Sequence, residues 1–251
     1  MCWPILEAKP LWQAVDFISD LHLQAQEPAT FEAWRRYMLG SPADAIFILG
    51  DLFEVWVGDD EAQEPGFASD CAQVLREATR LRPVFFMHGN RDFLVGAELM
   101  RNCGVTLLDD PTVLAFKTRR WLLTHGDALC LDDADYLRFR ERVRTAAWKR
   151  DFLAEPLAVR KALARSMREA SSARAASGKK YGDVDAEAAN LWLTQANATA
   201  MIHGHTHKPA DHAMDGLRQR IVLSDWDAAA VPARLEVLRL DGAAPRRINL
   251  A

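Results

Sequence analysis

Four short apolar runs in the first half of the chain each stop abruptly at a polar turn, and this pattern narrows the choice of fold most. "AVDFIS" (14–19), "AIFILG" (45–50), "VFFMHG" (84–89) and "RWLLTHG" (120–126) have the length and the aromatic or β-branched content of buried strands. Between them, "TFEAWRRYML" and "SDCAQVLREATRL" carry a helical period. Phe31, Trp34 and Met38 share a face of the first, and Ala72, Leu75 and Ala78 a face of the second. Strand–helix alternation of this kind predicts an α/β layered domain. From Asp132 to Asp183 the character changes to helix-formers, with Tyr136, Phe139, Val143 and Ala147 at helical spacing and Pro156 marking a break and restart. Strand patterns return in "TAMIHGHTH" (199–207), "RIVLSDWD" and "RLEVLRL". The chain therefore reads as a single domain, 1–251, with a helical cap, 132–183, inserted between two core strands.

The strand ends carry the chemistry. Asp20 and His22 in "SDLHL", and His205 and His207 in "HGHTH", are two residues apart, so strand alternation would turn each pair to one face. "GDLFE" adds Asp51, "GNRD" adds Asn90 and "THGD" adds His125. Each string alone is weak, since a D-x-H or a histidine-rich strand end is often ordinary surface polarity. Five of them, each closing a predicted strand, collect seven donors where α/β folds bind ligands. Seven exceed the needs of one ion and suit two ions sharing a carboxylate, and oxygen donors mixed with imidazole suit Mn²⁺ or a similar ion. Two ions ~3.5–4 Å apart generate a nucleophile from water and clamp a phosphoryl group during in-line displacement.

In this order, D-x-H, G-D, G-N-R-D, H-G-D and G-H-T-H resemble the calcineurin-like metallophosphoesterases over roughly residues 14–227. The resemblance implies an α/β fold, a four-layer αββα sandwich with two mixed β-sheets, around two divalent metal ions. It places Asp20, His22 and His207 on one ion, Asn90, His125 and His205 on the other, and Asp51 between them, with His203 outside the ligand set. The longer strings "GDLFEVWVGDD" (50–60), "HGNRDFLVG" (88–96), "HGDALCLDD" (125–133) and "IHGHTHKPA" (202–210) are similar to one branch of that family. Its members cleave UDP-2,3-diacylglucosamine to UMP and 2,3-diacylglucosamine 1-phosphate in lipid A synthesis, and carry a helical cap of matching place and length. That branch implies substrate contacts at Asn90, Arg91, Asp133 and His205, with Asn90 and Arg91 catalytic. Its cap pattern S-x-x-x-N-x-x-K meets Ser171 here and then fails, because Ala175 and Gly178 occupy the asparagine and lysine positions. Lys179, or Lys180 beside it, is expected to substitute.

Arg91 stands where family members that cleave phosphate monoesters carry a histidine. An alkoxide leaving group has a conjugate pKa of about 16, like water's, so a proton donor speeds its departure. A diphosphate releases a phosphate monoester whose second pKa is about 6. That group leaves unprotonated and needs charge stabilisation, which a planar guanidinium supplies bidentately. Arg91 therefore points to a diphosphatase, with an ion pair to Asp92 as the structural alternative.

Charge is distributed unevenly. Between Arg138 and Lys180, thirteen Lys/Arg face four Asp/Glu, a net +9 in a chain of net −4, so the remainder carries −13. A basic amphipathic cap suits an anionic cytoplasmic leaflet, at ~1 kcal/mol per well-placed basic residue, although solvated helix faces account for most of these residues singly. The row Tyr136, Phe139, Val143 and Leu163 is expected to supply an acyl slot. The acidic balance gives no footprint for nucleic acid. "MCWPILEAKPLW" lacks the charged and apolar regions of a signal peptide, and no apolar run approaches the ~20 residues of a membrane span. Cys2, Cys71, Cys103 and Cys130 are scattered, so reduced thiols are expected, with a Cys2–Cys71 pair as the alternative. With the resemblance, these features predict a cytoplasmic enzyme held peripherally on the inner face of the bacterial inner membrane, with a lipid-nucleotide substrate and no obligate protein partner. The rivals are a phosphoesterase for a soluble nucleotide diphosphate or cyclic nucleotide, and a non-catalytic membrane-associated binding module with a vestigial site.

Overall fold

The computed structural model describes residues 3–176, 182–242 and 244–251. In chain order the strands are β1 (Ile5–Glu7), β2 (Val15–Ile18), β3 (Ala45–Leu49), β4 (Val84–Met87), β5 (Thr106–Leu108), β6 (Thr112–Phe116) and β7 (Arg119–Leu123). They continue with β8 (Ala200–His203), β9 (Ala210–Ala213), β10 (Gln219–Val222), β11 (Glu236–Leu240) and β12 (Arg246–Asn249). The helices are α1 (Pro28–Gly40), α2 (Phe67–Leu81), α3 (Ala97–Asn102), α4 (Ala134–Val143), α5 (Ala146–Leu153), α6 (Leu157–Ala176) and α7 (Ala186–Ala196). Two mixed sheets result, ordered β12-β11-β2-β3-β4-β5 and β1-β6-β7-β8-β10-β9.

Strand alternation builds the layers. In β3, Ala45, Phe47 and Leu49 join a cluster drawn from both sheets, with Phe17, Phe85, Leu114, Trp121 and Ile202. Phe47 stacks between Phe17 and Phe85, at 5.0 and 4.6 Å between ring centroids. Ile46 and Ile48 point the other way, into a cluster with Trp34 and Met38 of α1 and Cys71, Ala72, Leu75 and Ala78 of α2. Beyond the second sheet, Leu122 and Met201 meet Ala189, Leu193 and Ala196 of α7. The order is helix, sheet, sheet, helix. Each fully buried large aliphatic or aromatic side chain contributes roughly 1.5–3 kcal/mol, so the three clusters hold the strand ends in fixed register. A buried carboxylate ties the first sheet to α1: Asp16 accepts from Arg239 at 2.7 and 2.8 Å, from Tyr37 at 2.9 Å and from Ser41 at 3.0 Å.

The structure differs from the sequence pattern in three places. The edge strands β1, β5, β9 and β12 are short, with most residues exposed or only half-buried, so they lack the buried apolar run that marks β4 at a similar length. The structure adds β6 and the helix α7 to the elements read from the chain. The single helical row from Tyr136 to Ala147 is broken, because α4 stops at Val143 and Thr145 caps α5 by accepting from Trp148 N. Ala147 is exposed, while the restart after Pro156 occurs as expected. Cys71, Cys103 and Cys130 are buried free thiols, and Cys2 lies outside the described residues. No described helix is long and apolar enough to cross a membrane.

Candidate metal centre and substrate cleft

Five loops meet at one end of the sheets. Asp20 and His22 follow β2, Asp51 follows β3, Asn90 follows β4, His125 follows β7, and His205 and His207 follow β8. Strand alternation does not aim these pairs, because β2 ends at Ile18 and β8 at His203. Left-handed backbone does. Asp20, His22, Asp51, His205 and His207 have φ of 54, 48, 51, 66 and 51°. Among the described non-glycine residues only Lys117 and Asn197 share that region. Each such residue costs ~1–2 kcal/mol, and strain of this sort gathers where function requires it. The turns are paid for locally by hydrogen bonds: Asp20 N donates to Gly50 O at 3.1 Å, and Leu21 N and His22 N to Asp51 O at 2.9 and 3.0 Å. Two glycines allow the loops to close, since a Cβ on Gly89 would collide with the Asp51 carboxylate and one on Gly204 with that of Asp20.

The donor atoms form two groups. In the first, His22 Nε2 and His207 Nε2 are 3.1 Å apart, and lie 4.0 and 3.3 Å from Asp20 Oδ1. In the second, Asn90 Oδ1 is 2.9 Å from His125 Nε2 and 2.8 Å from His205 Nδ1. His125 Nδ1 donates to Leu49 O at 2.9 Å, which leaves its Nε2 lone pair toward Asn90. Asp51 spans the groups, with Oδ2 4.0 Å from His22 Nε2 and Oδ1 3.7 Å from His125 Nε2. Asp20 is also central, sharing one compact set with His22 and His207 and another with Asp51 and His125.

The electrostatics ask for cations. Burial opposes charging His125, yet Asp51, Asp20 and Asp127 carry it up to about 9. Burial and the neighbouring His125 push His205 down to about 4. Without metal, the acidic field thus draws a proton onto one imidazole and excludes it from the next. Carboxylates and imidazoles in two sets whose donor atoms lie within 4.8 Å of one another, with an amide oxygen beside them, fit divalent ions.

Arg91 does not pair with Asp92. Asp92 is buried and accepts from Leu52 N at 2.7 Å and Gly89 N at 2.8 Å, tying the loops after β3 and β4 together. The Arg91 guanidinium instead lies 3.4 Å from Glu54, while its backbone N–H donates to Asp51 Oδ1 at 2.8 Å. A cleft of about 730 Å³ runs from His22, Asp51, Asn90, His205 and His207 past Arg91 and Asp133. Its far wall is apolar, formed by Trp56, Phe93, Phe139, Trp148, Phe152 and Met167. Of the expected row, Tyr136 and Phe139 reach the cleft, Val143 is buried beside it, and Leu163 is exposed. Asp133 also caps α4 by accepting from Tyr136 N at 3.2 Å. The side chain of Ser171, and Lys179 and Lys180 altogether, lie outside the described residues.

A calcineurin-like phosphoesterase family model matches residues 14–209. The chain belongs to the calcineurin-like phosphoesterases. Within that family it is 44% identical over 215 residues to the UDP-2,3-diacylglucosamine hydrolase of Sodalis glossinidius, covering 84% of this chain and 89% of the relative. The enzyme of the same name from Aromatoleum aromaticum is 42% identical over 237 residues, 91% of this chain and 94% of the relative. That of Escherichia coli O81 is 43% identical over 217 residues, 84% and 90% respectively.

In this calcineurin-like phosphoesterase the cap is moored by charges that the motifs do not reveal. Asp127, two residues after His125 and fully buried, accepts from Tyr136 Oη, from Arg140 Nε at 2.8 Å and, more loosely, from Arg144 at 3.4 Å. Arg144 also donates to Gly89 O at 2.9 Å, directly before Asn90. Lys149 donates to Phe93 O at 3.0 Å, Lys161 meets Glu61 at 2.7 Å, and Arg160 pairs with Asp60. With Arg168, which meets Glu54 at 2.8 Å, six basic cap residues among those described engage the core. The "HGD" string contained Asp127, but only its partners on α4 disclose a mooring role. Replacing Asp127 with alanine should speed amide hydrogen exchange in α4 at least ~10-fold, about 1.4 kcal/mol of local opening, with β3 amides unchanged. Unaltered exchange in α4 would show that the helix is held by other contacts.

Proposed function

We propose that the chain hydrolyses the diphosphate of UDP-2,3-diacylglucosamine to UMP and 2,3-diacylglucosamine 1-phosphate, with two Mn²⁺ ions as cofactors. One observation carries the reading: a single cleft joins the donor cluster to an apolar wall built jointly by core and cap. A substrate with a charged diphosphate and two acyl chains needs both ends. The activity for which the relatives are named agrees with it. Asp20, His22 and His207 would hold one ion and Asn90, His125 and His205 the other, with Asp51 shared. When bound, such ions supply a nucleophile at neutral pH and neutralise phosphoryl charge.

The chain's own residues do the rest. Arg91 faces the cleft beside the cluster and stabilises the departing phosphate without a proton. Asn90 and His205 hold the reacting phosphate against the ligand set, and Asp133 lines the sugar side of the cleft, with Ser171 and Lys179 assigned to the cap side. Residues 1–251 act as one domain in which 132–183 is the cap. Trp56, Phe139, Trp148 and Phe152 take the acyl chains out of water. Val159, Leu163 and Met167, four apart on α6, are exposed, and Met167 also lines the cleft. This row rests on the cytoplasmic face of the inner membrane and gives the acyl chains a short path from bilayer to slot. Since many cap cations turn inward, apolar contact contributes more to attachment than charge alone.

Release of UMP from the lipid nucleotide and from soluble UDP-N-acetylglucosamine, with Mn²⁺ and with chelator, tests the reading. kcat/KM for the lipid should be at least ~10²-fold higher, because burying only about four methylenes at ~0.8 kcal/mol each supplies that factor. Chelator should abolish both. Equal rates would favour the soluble-nucleotide reading, and no UMP with Mn²⁺ present would favour a binding module.

The leaving-group argument has its own test. Arg91→Ala should lower kcat on the lipid diphosphate by ~10²-fold or more, the scale for one preorganised charge donor, with no rescue at lower pH. Arg91→His restores an acid with a pKa near ~6.5 but lacks the fork. The ratio of kcat/KM for the diphosphate to that for an alkyl phosphate ester should therefore fall. A constant ratio, or normal turnover by Arg91→Ala, would make Arg91 a structural ion-pair residue.

A further inference from the structure

Glu54 lies three residues beyond Asp51, on the loop after β3, and its backbone N–H donates to Leu23 O at 3.2 Å. The residue is buried, at 8% exposure. Three basic groups converge on it. His22 Nδ1 is 2.8 Å away, Arg168 Nε of the cap helix α6 is 2.8 Å away, and Arg91 Nη1 of the loop after β4 is 3.4 Å away. All three partners line the main cleft, while Glu54 does not. It lines instead an adjoining groove of about 310 Å³, with Phe53 and Phe67. The carboxylate therefore joins two guanidiniums that line the main cleft, one of which, Arg168, also borders the groove.

A carboxylate so near a polyanionic substrate repels it, so its benefit must come through its neighbours. Arg91 and Arg168 reach the site on long side chains from different parts of the fold, and without a shared counter-ion they repel one another. Held by one carboxylate, they form a pair of planar forks, and such a pair matches two adjacent phosphates, where a single phosphate needs only one. The same carboxylate sits 2.8 Å from His22 Nδ1, on the side of the ring away from Nε2, which is left toward Asp20, Asp51 and His207, as outer contacts commonly orient a ligand imidazole. We propose that Glu54 is a positioning residue that holds Arg91 and Arg168 as a two-guanidinium clamp selective for a diphosphate. This rests on the diphosphatase reading above and adds Arg168 of the cap to the phosphate-binding group.

The test is calorimetric binding of α,β-methylene-UDP and of UMP to the Mn²⁺-loaded protein, with Mn²⁺ affinity measured separately for each variant. Wild type should bind the diphosphate analogue more tightly than UMP. Glu54→Gln should reduce that preference at least ~10-fold, Arg168→Ala should do the same, and the double variant should be no more than ~3-fold worse than either, because coupled residues are not additive. Glu54→Asp should recover part of the preference, and Mn²⁺ affinity should stay within ~10-fold, the lower end for a ligand-orienting contact. The proposal is overturned if wild type shows no diphosphate preference, if Glu54→Gln leaves it unchanged or strengthens it, or if the two substitutions add. It is equally overturned if analogue and UMP weaken together in proportion to lost Mn²⁺, which would leave Glu54 as a support for His22 alone. Turnover of the lipid nucleotide by wild type, run alongside, reports on the diphosphatase reading independently.

Discussion

Left-handed backbone at the ends of three strands is the constraint on which the active end of the molecule depends. Asp20 and His22 after β2, Asp51 after β3, and His205 and His207 after β8 all adopt it. Residues two apart in an extended strand share a face, but these donors lie beyond the ends of β2, β3 and β8. Turning each one back brings two imidazole nitrogens within 3.1 Å of each other and sets Asp51 between the two donor groups. The conformation is unfavourable for L-residues. It persists because hydrophobic layers on both faces of each sheet fix the strands, and because Gly89 and Gly204 let the loops touch. Packing that appears purely structural thus sustains the strain on which the site relies.

The cap depends on the same end of the core. Its cations grip Asp127, Glu54, Asp60, Glu61 and the backbone carbonyls of Val57, Gly89 and Phe93, in loops that also carry the ligand candidates or adjoin them. Arg144 bonded to Gly89 O touches the residue before Asn90, and Tyr136 stacks on His205 with ring centroids 6.2 Å apart. The apolar wall and the donor cluster are therefore positioned by one set of contacts. A lipid nucleotide, charged at one end and oily at the other, requires that coupling.

Much of this was legible in the chain itself. "AIFIL" reads as a strand buried on both faces because every residue is apolar, and β3 is buried throughout. The seven donors were legible because each sits in a short polar string directly after such a run. Their backbone conformation was not, since φ depends on the loop that returns from the partner strand. Glu54 and Asp127 were equally hidden: their strings were in view, but their partners lie more than 100 residues away for Arg168 and on another helix for Arg140. The ion-pair partner of Arg91 was not legible either: it is Glu54, 37 residues earlier, rather than the neighbouring Asp92. The break between α4 and α5 escaped because Thr145 sits inside a long run of helix-formers, where a capping threonine gives little warning.

The central claim is that these strand ends assemble a two-ion centre with Asp51 shared between the ions. Electron paramagnetic resonance of Mn²⁺ titrated into the purified protein tests it most directly. The account predicts two Mn²⁺ per chain and, at saturation, the spectrum of a spin-coupled pair, which Asp51→Asn should convert to uncoupled ions. Saturation at one Mn²⁺ per chain, or two ions with no coupling in the wild-type protein, would contradict it.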